Sequence, residues 1–77
     1  MTVEGFIEKI EETIDTIPKG VLKPETQYRS MQEWSSMHAL IIIALVDTDY
    51  NVIITGNDIR SNNTVADLFN VIKSRKK

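Results

Sequence analysis

Apolar residues at the start of the chain fall on one helical stripe. Val3, Phe6, Ile7, Ile10, Ile14 and Ile17 recur at spacings of three and four, and Glu4, Glu8, Glu11, Glu12 and Asp15 fill positions between them. The pattern predicts an amphipathic helix with an acidic outer face, opened by Thr2 as N-cap and stopped by Pro18-Lys19-Gly20. From Val21 to Trp34 the periodicity is lost, and Pro24 biases Lys23 away from helical geometry. A long loop is expected there, pinned by Val21, Leu22, Tyr28 and Met31. Loops of that length in small domains are uncommon and often functional.

Met37 to Val46 is a nearly continuous apolar run, and periodicity cannot decide such a run. The β-branched Ile41-Ile42-Ile43 would tolerate a strand, paired with Val52-Ile53-Ile54-Thr55 as a hairpin in a small α+β domain. The segments beyond carry clearer start signals. Thr55-Gly56-Asn57-Asp58 and Thr64-Val65-Ala66-Asp67 each place a hydroxyl three residues before a carboxylate, an Asp variant of the capping box. The first predicts a short helical turn through Ile59 and Arg60. The second opens a terminal helix with Val65, Leu68, Phe69 and Ile72 along its apolar stripe.

Size and composition narrow the function classes. Residues 1–77 make a single domain with a modest core. There is no cysteine, so disulfides, thiolate metal sites and a thiol nucleophile are excluded from the chain itself. The run Ala39 to Val46 is too short to span a bilayer, so no stable membrane insertion is expected. The first residues lack the pattern of a secretory signal, and a soluble cytoplasmic protein is the expectation. The net charge of −2 hides an asymmetry: Lys73, Arg75, Lys76 and Lys77 crowd the last five residues, leaving eleven acidic residues against five basic ones elsewhere. An acidic body argues against a nucleic-acid partner, and the basic tail reads as a solvated end complementing a helix C-terminus.

Ser36, in Glu33-Trp34-Ser35-Ser36-Met37-His38, stands where the polar loop gives way to the apolar run. It can cap the helix, but Ser35 does that equally well and leaves Ser36 to project outward. It could be a hydrolytic nucleophile, but that needs a base within reach and a group to orient the base. The one histidine, His38, is two positions away, where helix side chains do not face each other, and no Gly-X-Ser-X-Gly elbow is present. The third possibility is a modification site, which needs no base of its own, only an exposed hydroxyl at a rigid helix start. His38 itself reads as a surface residue, Trp34 as an anchor for the loop, and the methionines as core filler. Asp47 and Asp49 are too few for a calcium site.

The order of segments bears on that choice. Trp34-Ser35-Ser36-Met37 is followed by Asp47-Thr48-Asp49-Tyr50, Val52-Ile53-Ile54, Asn57-Asp58-Ile59-Arg60 and Thr64-Val65-Ala66-Asp67-Leu68. From about Phe6 to Lys73 the chain resembles the acyl carrier protein family, and the likeness is closest from Trp34 to Ile72. It implies an all-α, acyl-carrier-like four-helix bundle, three helices longer and one short, with a long loop between helices one and two. Ser36 to about Asp49 would then be a helix and Val52 to Thr55 a connecting loop.

It also implies that Ser36 carries 4′-phosphopantetheine, taken from coenzyme A by a phosphopantetheinyl transferase, whose thiol holds an acyl or aminoacyl group as a thioester. The chain would not be an enzyme. It would be a monomeric carrier serving acyl-activating and acyl-transfer enzymes, with Leu40, Ile43, Ile59, Leu68 and Phe69 as candidates to line an acyl shelter. Two departures stand out. Ser35-Ser36-Met37 replaces the family's Asp-Ser-Leu, which removes a carboxylate that helps the transferase and its magnesium ion engage. The segment from His38 to Val46 holds no acid before Asp47, so its exposed members would form an apolar docking surface. That suits a dedicated partner or self-association, in a specialised pathway rather than bulk fatty acid synthesis. The alternative is an unmodified carrier-like interaction module.

Overall fold

The computed structural model describes residues 2–15, 17–31 and 34–76. Among them are four α-helices, α1 (Val3–Thr13), α2 (Ser36–Tyr50), α3 (Gly56–Ser61) and α4 (Val65–Arg75), one 3-10 turn (Tyr28–Ser30), and no strand. The all-α bundle of three longer helices and one short helix is therefore the fold, and the hairpin does not form. A long connection, with the 3-10 turn inside it, joins α1 to α2.

Helix α1 starts as its sequence predicts, with the Thr2 hydroxyl accepting the Gly5 N–H at 3.1 Å. It ends sooner than the apolar stripe predicts, because Ile14 is already extended at φ −109°, ψ 97°. Ile14 and Ile17 are nevertheless buried. They reach the core from the turn after the helix, so their spacing records burial rather than helical continuation. Gly20 has a φ of +88°, where a side chain is disfavoured, and its N–H donates to the Glu11 carboxylate at 2.8 Å. This bond folds the Pro18–Gly20 turn back against α1.

Helix α2 buries Ile42, Leu45, Val46 and Tyr50, an ordinary helical stripe hidden in the sequence because its outer face is apolar too. It ends at Asn51, whose φ of 56° places it in the left-handed cap conformation. Both predicted capping boxes are formed. The Thr55 hydroxyl accepts the Asp58 N–H at 3.2 Å while the Asp58 carboxylate accepts the Thr55 N–H at 2.8 Å. Thr64 and Asp67 reciprocate at 3.1 and 3.3 Å. Val65, Leu68, Phe69 and Ile72 of α4 are all buried. Phe6 lies fully buried at the centre, edge-on to Tyr50 at 5.9 Å and tilted against Phe69 at 5.7 Å, so one ring joins α1, α2 and α4.

The described part of the basic tail is exposed, as its sequence predicts, and two of its cations are bonded. Arg75 grips the Asp58 carboxylate through two nitrogens at 2.7 and 2.9 Å, and the Lys76 ammonium donates to the Tyr50 carbonyl at 2.9 Å, at the C-terminal end of α2. Lys77 lies outside the described residues. The Arg75 bond, then the Thr55 N–H, hold the Asp58 carboxyl down at about 2 from an ordinary value of 3.8. A carboxyl whose folded value is depressed stabilises the fold above its unfolded value and loses that contribution as pH falls through the folded one. Asp58→Asn should therefore cost about 1 kcal/mol at neutral pH, a cap-sized loss moderated by solvent screening. The difference should shrink as pH falls from about 4 to about 2. Urea denaturation of both proteins across that range measures it, and a difference independent of pH would contradict the assignment.

Candidate modification site

The long loop is held by bonds to the corner between α3 and α4. Tyr28 is buried, and its hydroxyl donates to the Ile59 carbonyl at 2.6 Å and lies 3.1 Å from the Asn62 carbonyl. Burial pushes the phenol up to about 12. Farther back in the loop, the Thr26 carbonyl accepts the Val65 N–H at 3.1 Å and the Pro24 carbonyl accepts the Ala66 N–H at 2.8 Å. These are first-turn amides of α4, which no bond within that helix can satisfy. Arg29 adds a bond to the Asn63 side chain at 2.9 Å. Of the four residues expected to pin the loop, Leu22 and Tyr28 are buried and Met31 is half-buried, but Val21 is 41% exposed.

Trp34 anchors the end of the loop. It is half-buried, edge-on to Tyr28 at 5.2 Å and tilted against the His38 ring at 5.8 Å. Ser35 follows as the N-cap of α2, in extended geometry at φ −145°, ψ 169°. Ser36 is the first helical residue and is exposed. Among the described residues its hydroxyl makes no hydrogen bond, and no acceptor meets the amides of Ser36 and Met37. Ser36 thus combines an exposed nucleophilic oxygen with unsatisfied first-turn donors and the positive end of the helix dipole, a setting that suits a phosphodiester.

His38 departs from its sequence reading. It is buried, 8% exposed, rather than a surface residue. Its Nδ1 accepts the Ser35 N–H at 2.9 Å and lies 3.3 Å from the Ser35 hydroxyl, closing a capping box in which an imidazole stands where Glu or Gln is usual. The signal was present as a three-residue spacing, Ser35-Ser36-Met37-His38. The ring meets Ser35, not Ser36, and its acceptor is directed at a backbone amide, so the pair makes a cap.

The outer face of α2 carries Met37 and Leu40, 68% and 67% exposed, followed by Ala44, on the same side of the helix as Ser36. Met37 is therefore surface rather than core filler. Leu40, expected to line an acyl shelter, points into solvent. Among the described residues an interior cavity lies elsewhere, between Ile10, Leu22, Tyr28, Trp34, Ile42 and Leu68, and at about 10 Å³ it is far too small for an acyl chain. Of the five expected lining residues, only Leu68 borders it. Asp49 pairs with Lys9 at 3.5 Å, and among the described residues no group of three or more His, Asp or Glu side chains could hold a metal. No helix among them is long and apolar enough to cross a membrane.

Comparison of the chain with family models, with curated proteins and with solved structures finds no match. The site is therefore read from its own geometry. If Tyr28 anchors the loop, Tyr28→Phe leaves the Ile59 carbonyl buried without its donor and should cost on the order of 1–3 kcal/mol. Amide exchange should quicken at Thr26, Arg29 and Trp34 more than in α1. Equal quickening everywhere would mean that the bonds support the bundle at large and not the loop.

Proposed function

We propose that this domain is a carrier: a phosphopantetheine arm attached to Ser36 holds an acyl or aminoacyl group and presents it to partner enzymes. The observation that carries this reading is the Ser36 hydroxyl, exposed and unbonded among the described residues at the first position of a 15-residue helix. In the loading step a separate transferase takes the hydroxyl proton. The Ser36 oxygen forms a bond to phosphorus, the pyrophosphate bond of coenzyme A breaks, and the adenosine bisphosphate half leaves. When attached, the arm supplies the thiol on which cargo is carried as a thioester.

The chain's own residues have three tasks. Ser35 and His38 fix the start of α2. The unsatisfied amides of Ser36 and Met37 offer donors to the phosphodiester. Met37, Leu40 and Ala44 form an apolar strip beside the serine on which a partner can dock, in a protein that performs no chemistry of its own. Apolar burial is not screened by ions, so docking should weaken only modestly as salt rises. Leu40→Asn should slow transfer to Ser36 about tenfold.

The deciding experiment is incubation with coenzyme A and a broad-specificity phosphopantetheinyl transferase, followed by intact mass and peptide mapping. Ser36→Ala should abolish the mass increment. Ser35→Asp, which returns the family's carboxylate, should speed modification. If neither the native-host protein nor Ser35→Asp is ever modified, the carrier reading fails and an unmodified interaction module takes its place.

A further inference from the structure

Two serines stand side by side at the start of α2, and both are exposed. We propose that His38 selects between them: it is the positioning residue that ties Ser35 into the helix cap and leaves Ser36 as the hydroxyl on offer. The consequence for modification rests on the carrier reading, whereas the selection itself is a matter of local geometry.

The backbone N–H and the hydroxyl of Ser35 converge on one atom, His38 Nδ1, at 2.9 and 3.3 Å. An N–H directed at Nδ1 requires that nitrogen to carry a lone pair, so the proton of the neutral ring sits on Nε2. Glu or Gln would reach the same amide through a flexible chain. The imidazole reaches it as a rigid ring, buried and backed by Trp34 at 5.8 Å, which Tyr28 in turn supports at 5.2 Å. Ser36, one residue on, lies about 100° farther round the helix and points away from the ring. Without the ring acceptor the Ser35 amide loses its partner, the first turn frays, and the Ser35 hydroxyl becomes as available as its neighbour.

Two variants and the unmodified wild type test this. His38→Leu keeps bulk and removes the acceptor, and His38→Gln returns an acceptor of similar reach. In the wild type the Ser35 amide should be protected from hydrogen exchange, and nitrogen-15 spectra should show the ring proton on Nε2. In His38→Leu the Ser35 amide should exchange roughly fivefold faster, the change expected on losing one helix cap, with Ile42 unaffected. His38→Gln should restore protection. After transferase treatment the arm should map to Ser36 alone in the wild type and His38→Gln, and to both serines in His38→Leu.

Several results would overturn the selection: an unprotected Ser35 amide or an Nδ1-protonated neutral ring in the wild type, or a folded His38→Leu protein modified on Ser36 alone. If His38→Leu fails to fold, the wild-type tautomer and Ser35 exchange decide. If the wild type takes no arm at all, the carrier reading falls by itself, and the same two measurements still decide whether His38 holds Ser35.

Discussion

The bundle depends on how its long loop satisfies its polar groups, and the Tyr28 hydroxyl is the centre of that solution. A connection of this length has little regular structure to absorb its backbone, and ordering each residue costs on the order of 1–2 kcal/mol. Tyr28 offsets part of that by burying an aromatic ring and bonding the Ile59 and Asn62 carbonyls in one step. The benefit runs both ways. Helix α3 has only six residues, too few to hold alone, and Tyr28 serves its carbonyl end while Asp58 and Thr55 serve its amide end. Loop and short helix are each incomplete without the other. From Tyr28 the contacts pass through Trp34 to His38 and so to Ser35, which links the α3–α4 corner to the start of α2.

Much of this was legible in the sequence where a local rule had no competitor. The Thr55 and Thr64 boxes, the Thr2 cap and the Val65-Leu68-Phe69-Ile72 stripe follow from spacing and capping chemistry, and they stand as read. The end of α1 was not legible, because Ile14 and Ile17 keep helical spacing while reaching the core from a turn. Helix α2 was ambiguous for the opposite reason: apolar residues occupy both of its faces, so no period shows. The role of His38 is not legible, because Glu and Gln are the residues expected at the third position of a capping box and a lone imidazole near a helix start carries no other signal of burial. Val21 and Leu40 are apolar yet exposed, a distinction that sequence hydropathy cannot make.

The two faces of α2 serve different ends. Ile42, Leu45, Val46 and Tyr50 hold the core, whereas Met37, Leu40 and Ala44 add nothing to it. An apolar strip kept in water lowers solubility, and small soluble domains hold such patches down. Under the carrier reading, this strip beside Ser36 is what a docking partner would meet. On the polar side of that end, the imidazole of His38 serves the Ser35 amide, and the amides of Ser36 and Met37 stay open among the described residues.

Another consequence lies in the order of the chain. The amides of Val65 and Ala66 find their acceptors at Thr26 and Pro24, and Tyr28 finds its own at Ile59 and Asn62. During synthesis α1, the loop and all of α2 are made before any of those partners. The loop can therefore settle only when the start of α4 has emerged, and the supports behind Ser36 come together last. A chain truncated before α4 would contain the serine, the histidine and the whole of α2, yet would lack the corner against which that serine is set.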